Sequence, residues 1–358
     1  MIMTSDEIFH SNENISKRNT DERGRKFSEK GGKGNNMLKY ILKRILYIIP
    51  VMFGVIVLVF IMKTVTPGDP VASLLPGTAT EEMKNNLREQ LGLNDPVLKQ
   101  FGSYVLGVVQ GDLGTSYKTR QPVAQEIAMR LPNTITIAIW AMFIAQIIAT
   151  PLGILAAVKQ NSVVDSIIVV FTMIGASVPG FWLALMLIQW FAIDLHWVPS
   201  MYDGSLKSWI LPIVSITFGS VAATTRGVRT NMLEVIRQDY IKTARAKGQK
   251  ETIVIWKHAF RNTLIPVIAG IGGGLEGMMG GAVVTEQVFA VPGVGKYIAD
   301  AVSARNFPSL QGGIIVIALI CCVINIIVDV GYTVADPRLK TTLMKSSVKK
   351  TKAAKGVA

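Results

Sequence analysis

Long apolar runs separated by polar segments set the pattern of this chain. Residues 45–62, 134–158, 166–193, 208–225 and 306–328 hold no charged side chain, and residues 262–289 form a sixth run interrupted only by Glu276 and Glu286. About 20 helical residues cross the ~30 Å hydrocarbon core of a bilayer. The pattern therefore predicts an all-α integral membrane protein with six transmembrane helices and both termini on one side. Spans one to five each carry an internal proline, at Pro50, Pro151, Pro179, Pro212 and Pro266. Membrane helices tolerate proline when neighbours compensate the freed carbonyl. The kinks fit a bundle that moves, and they also fit ordinary membrane-helix usage.

The polar segments are patterned too. Residues 64–132 form a sizeable segment between spans one and two. Thr78 and Glu81 make a capping-box spacing that opens a helix with Met83, Leu87 and Leu91 on one face. Pro96 starts a second helix with an apolar stripe of Val97, Phe101, Tyr104, Val105 and Val108, and residues 111–114 close it as a turn. Val123, Ile127 and Leu131 form a third stripe before Pro132 opens span two. These helices either lie on the outer membrane surface or form a platform for an external partner.

Residues 226–261 are longer than a connector needs and carry nine Lys or Arg against three acids. Asn231 with Glu234 is an N-cap spacing, predicting a helix over 232–247, and Gly248 suits the left-handed position after it. Residues 252–260 then make a second short helix leading into span five. A folded basic loop of this size implies a docking partner.

Composition and charge agree with a membrane protein. Half of the 358 residues are hydrophobic and mean hydropathy is +0.40. With the N-terminus inside, most of the Lys and Arg fall on inner segments, so the positive-inside rule places both termini and the 226–261 loop in the cytoplasm. The net charge of +13 suits anionic lipid headgroups and needs no nucleic acid. Residues 1–36 read as a disordered cytoplasmic extension, residues 37–340 as the six-span domain and 341–358 as a basic cytoplasmic tail. The first apolar run lacks a small-residue cleavage site and reads as an uncleaved anchor.

Catalytic chemistry finds little support. His10, His196 and His258 have no metal-ligand spacing, and Cys321 and Cys322 are adjacent apolar-span residues that rarely form a bridge. The glycine run 270–277 lacks the Lys-Ser/Thr of a P-loop, so no ATP site is predicted in this chain. Its glycines permit close helix packing or a locally loosened backbone. Glu276, near the middle of span five, is costly there. It either lines a translocation path and meets a cationic substrate group, or pairs with a polar group elsewhere.

The loop is similar to the cytoplasmic coupling loop of bacterial ABC importer permeases. Lys242-Thr243-Ala244 precedes Gly248, and His258-Ala259-Phe260-Arg261 follows after the family's nine-residue spacing. The letters resemble the peptide/nickel branch: Asp239-Tyr240, Thr243 to Gly248, His258-Ala259 and Asn262. Pro67-Gly68-Asp69-Pro70, Leu91-Gly92-Leu93, Gly111 to Gly114, Thr285-Glu286 with Val288-Phe289 and Pro292-Gly293 with Gly295, and Asp336-Pro337-Arg338 resemble further landmarks of that branch. The likeness covers residues 37–340, and the large 64–132 segment resembles a B-type subunit. It implies a type I ABC importer permease for di- or oligopeptides in the bacterial cytoplasmic membrane, with nickel or metal chelates as the alternative cargo.

It further implies a second, C-type permease subunit, two cytoplasmic ABC ATPases that use ATP and magnesium, and an external substrate-binding protein. No cofactor is implied in this chain, and membrane lipid is its remaining partner. Residues carried over for ATPase coupling are Arg229, Glu234, Asp239, Tyr240, Thr243, Ala244, Arg245, Ala246, Gly248 and His258. Glu276 and Glu286 stand as translocation-path residues, Glu286 with a structural or gating reading as well. A gradient-driven secondary transporter working through Glu276 is the rival from another class, although no internal repeat supports it.

Overall fold

The structure, a computed structural model, describes residues 42, 44–65, 71, 75, 79–90 and 92–335. The expected extension 1–36, the tail 341–358, the landmarks Pro67 to Pro70 and Asp336 to Arg338, Leu91 and the proposed cap Thr78 lie outside the described residues. The chain divides into two compact units, residues 1–51 and 52–358. In the first, the described residues 42 and 44–51 are helical. The second holds the remainder of that helix and every later one.

Helices account for nearly all regular structure among the described residues. They are α1 (Arg44–Val65), α2 (Glu81–Gln90), α3 (Val97–Val109), α4 (Val123–Val158), α5 (Val163–Ser177) and α6 (Gly180–Leu187). After them come α7 (Ile210–Ile236), α8 (Asp239–Ala246), α9 (Glu251–Val288), α10 (Val294–Ser303) and α11 (Phe307–Ala335). Five of these, α1, α4, α7, α9 and α11, are long and apolar enough to cross a membrane. The pair α5 and α6, whose wider π turns continue to Asp194, adds a sixth span when its two bent arms are counted together.

Three sequence expectations change here. The third span is not kinked but broken, bent by 95°. Steric conflict with a following proline disfavours helical backbone, and both Val178 (ψ 121°) and Pro179 (ψ 132°) are extended. Pro132 does not open span two: it lies inside α4, which absorbs the third outer stripe and reaches about 54 Å, well beyond the bilayer core. The first outer helix is capped by Thr80, whose Oγ1 accepts the Met83 N–H at 3.4 Å.

Small residues hold the bundle together. Ala138, Ala141, Ala145 and Ala149 recur along one face of α4 and pack with Val221 of α7 and with Met278 and Met279 of α9. Between lipid-bathed helices association relies on close backbone approach, which such residues permit. At Gly153 the approach is tight. A β-carbon there would stand 2.7 Å from Val228 Cβ and 2.8 Å from the Thr225 carbonyl oxygen.

Candidate functional site

The basic end of the bundle is built on α7, which continues past the apolar run without a break. Arg229, on its polar extension, donates through Nε to Asp165 Oδ1 and through Nη2 to Asp165 Oδ2, each at 2.7 Å. Two parallel charge-assisted bonds fix orientation as well as distance. Asp165 sits in the first turn of α5, where Ser162 caps the helix, and it also accepts the Asn161 N–H at 3.0 Å. Nearby, Arg237 Nη2 reaches Gln160 Oε1 at 3.3 Å. The Arg229–Asp165 pair clamps α7 to the α4–α5 corner.

The chain turns only at Arg237–Gln238, and α8 begins at Asp239 with Gln238 as its cap residue. The predicted 232–247 helix is therefore two pieces, with Asn231 and Glu234 inside α7 rather than at an N-cap. Ile241 and Ala244 are buried among Ile154, Val228, Met232 and Val254, so α8 sits on α4, α7 and α9 through one narrow face. Asp239, Tyr240, Lys242, Thr243, Arg245, Ala246 and Lys247 are exposed on its other sides.

Side-chain bonds close the loop behind α8. Gly248 has φ +72°, a left-handed geometry that glycine adopts at little cost. Across this turn Arg245 donates to Glu251 from Nε at 3.1 Å and from Nη2 at 2.6 Å. That hydrogen bonding holds the Arg245 guanidinium above its ordinary pKa. His258 Nε2 lies 2.7 Å from Gln249 Oε1, and Asn262 Nδ2 donates to the Tyr240 hydroxyl at 2.9 Å and to the His258 carbonyl at 2.9 Å. The expected second short helix is present, but residues 254–260 wind as a π-helix and run straight into the rest of α9. Tyr240, Ile253 and Trp256 stay exposed beside them.

The predicted residues thus fall into two groups. Asp239, Tyr240, Thr243, Arg245, Ala246, Gly248 and Glu234 are on the surface of the basic end, and His258 is half-buried beside them. Arg229 and Ala244 face inward and seat the loop. Sequence reasoning missed Asp165 and Glu251, since each partner lies across a turn or on a different helix. Only Asp165 carries a local signal, as an acid three residues after a Ser cap.

Glu276 and Glu286 share α9 but not an environment. Glu276 Oε1 is shielded from solvent with no hydrogen-bond partner. Glu286 is fully buried: Thr134 Oγ1 donates to its Oε1 at 2.6 Å and the Lys296 N–H to its Oε2 at 2.9 Å. Thr134 Oγ1 in turn accepts the Val294 N–H at 2.9 Å. The carboxylate therefore caps the start of α10, where free amides favour negative charge. That enclosure favours the structural reading of Glu286 over a path-lining one. Among the described residues no three His, Cys, Asp or Glu converge as a metal site would need.

Comparison with known proteins gives a consistent result. Residues 149–341 match the family described as binding-protein-dependent transport system inner membrane component, and residues 37–138 match the N-terminal part of such membrane components. The chain is 39% identical over 333 residues to the dipeptide transport system permease protein DppB of Alkalihalophilus pseudofirmus, covering 85% of this chain and 100% of that protein. It is 38% identical over 304 residues to the glutathione transport system permease protein GsiC of Escherichia coli, covering 85% and 99%. A structure of the MetNI methionine ABC transporter in an inward-facing conformation shares the fold, with TM-score 0.52 and 17% identity over 59% of this chain and 97% of that one.

Proposed function

The chain belongs to the family of binding-protein-dependent transport system inner membrane components, and we propose that this ABC importer permease carries short peptides and couples to its ATPases through α8. The relatives named for dipeptide and glutathione transport support the cargo class. In this reading a second, C-type permease completes the pathway, two ABC ATPases bind ATP and magnesium, and an external binding protein delivers the peptide. The basic end then faces the cytoplasm together with both termini.

One observation carries the coupling role: α8 is exposed on every side except the face mounted by Ile241 and Ala244. A push on such an element does not dissipate in the loop. Ile241 and Ala244 pass it to α4, α7 and α9, while the Arg229–Asp165 clamp carries it to α5. Asp239, Tyr240, Thr243, Arg245, Ala246 and His258 form the ATPase-facing surface, with Glu234 at its edge. Gly248 provides the turn, and Arg229 and Ala244 hold the mount. Glu276 lines the path and receives the cationic amino group of the peptide, its unpartnered Oε1 being the support.

The test is ATP-driven uptake of a labelled dipeptide by the reconstituted complex. Ala246→Glu adds charge on the exposed face and should abolish uptake while leaving membrane insertion and thermal stability unchanged. Normal uptake by that variant would remove α8 from the coupling route. Glu276→Gln should lower uptake of dipeptides with a free amino terminus more than of amino-acetylated ones; an equal effect on both removes Glu276 from the path.

A further inference from the structure

Three places outside the coupling loop have no part in the transport reading: the notch at the broken third span, the buried polar collar around Glu286, and the exposed apolar side of α3. The last reveals how the chain sits in its membrane. α3 is packed on α1, and the contacts fix its depth. The Phe101 ring lies 5.1 Å from the Phe60 ring and 6.3 Å from the Phe53 ring, centroid to centroid, and Tyr104 stacks obliquely on Phe60 at 6.2 Å. At 1.5 Å per residue, Phe60 and Phe53 stand about 7 and 18 Å inward from the end of α1 at Val65. Phe101 is thus seated beside the part of α1 that must lie in hydrocarbon.

Charge marks the same level. Lys63 Nζ donates to Gln100 Oε1 at 3.3 Å, and Lys99 pairs with Asp95 at 2.9 Å, so ionic groups gather at the start of α3. From Gln100 to Gly111 there is no charged residue. On this helix Leu98, Leu106 and Val109 are 84%, 63% and 78% exposed. A helix of 13 residues spans about 20 Å, too short to cross the bilayer. α1, on which it packs, also exposes apolar side chains at Leu58 and Ile61.

We infer that α3 is a leaflet-embedded helix: its free face is covered by lipid acyl chains of the leaflet opposite the basic loop, with Asp95 and Lys99 at the headgroups. It does not form a water-facing platform. The role is to widen the membrane-seated footprint of α1 and to hold the 92–122 segment against the bilayer. This placement rests on α1 crossing the membrane and not on the coupling role of α8.

Site-directed spin labelling tests it in the full chain, reconstituted in phosphatidylethanolamine–phosphatidylglycerol vesicles, with Cys321 and Cys322 replaced by alanine. Labels go on Leu98→Cys, Leu106→Cys and Val109→Cys, with Leu58→Cys as the lipid reference and exposed Thr119→Cys as the water reference. The expected result is accessibility to oxygen over a water-soluble nickel chelate that matches Leu58 at Leu106 and Val109 and is intermediate at Leu98. Labels that match Thr119 would overturn the inference in favour of an aqueous platform. Labels shielded from both probes would overturn it in favour of a second copy of this chain covering that face.

Discussion

The Glu286 carboxylate fills the space in which a β-carbon on Gly293 would stand. This relationship gives the glycines after α9 a physical reason. Gly293 and Gly295 leave room for the acid, Thr134 and the Lys296 amide bind it, and the Pro292 carbonyl accepts from Asn133 Nδ2 at 2.8 Å. The Glu286 carboxylate thus ties the short helix α10 to α4 and α9, beside the bond from Tyr297 of α10 to Glu126 of α4 at 2.7 Å.

Gly293→Ala must displace that carboxylate or shift the backbone. Overpacking and an unsatisfied buried acid together are expected to cost about 2–4 kcal/mol. Gly280→Ala on the same helix as Glu286 meets open space and gains helix propensity, so it should be neutral or stabilising by up to about 1 kcal/mol. Thermal unfolding of both variants in one detergent reads the contrast.

Arg229→Met leaves Asp165 buried without its cation. Removing one member of a buried pair costs about 3–5 kcal/mol, and the partial exposure of Arg229 places this case at the lower end. The double variant Asp165→Leu with Arg229→Met should recover most of the loss, short of the Asn161 bond to Asp165. Melting temperatures of the two single variants and the double variant form the cycle.

Much of this fold was legible in the sequence, because hydrocarbon demands uninterrupted apolar length. All six crossings stand out as apolar runs. What was hidden depended on partners far along the chain. Arg229 looked like the start of a polar loop, whereas Asp165, 64 positions away, lets that charge ride on a continuing helix. The break at Pro179 read as a kink because proline alone does not tell whether the residue before it stays helical. Glu286 belongs to a motif, but nothing local reveals that Thr134 binds it.

Gly248 is replaceable only in order of backbone tolerance. No neighbour lies within 4 Å of where its β-carbon would be, so the cost is purely conformational, about 1–2 kcal/mol for alanine and less for asparagine. Proline cannot adopt the positive φ and also removes the N–H that bonds the Arg245 carbonyl at 2.9 Å. Peptide uptake should fall in the order Gly, Asn, Ala, Pro, and an Ala variant below the Pro variant would contradict that order.

The Arg245–Glu251 pair is exposed, so its loss should change stability by no more than about 1 kcal/mol. Its job is to hold the turn after α8. Glu251→Gln is therefore expected to leave the melting temperature unchanged and to lower uptake several-fold. The exchange Arg245→Glu with Glu251→Arg should restore uptake in part, and uptake measured in both variants decides it.

Because α7 runs unbroken from Ile210 to Ile236, the position of α8 is an angle as much as a location. One residue inserted after Thr230 would turn everything beyond it by about 100° about the helix axis, carrying Ile241 and Ala244 off their seat. Seven residues would nearly restore the angle but lengthen the shaft by about 10 Å. The length of this stretch is therefore set by phase, and natural variation in chain length should accumulate in the outer connections instead.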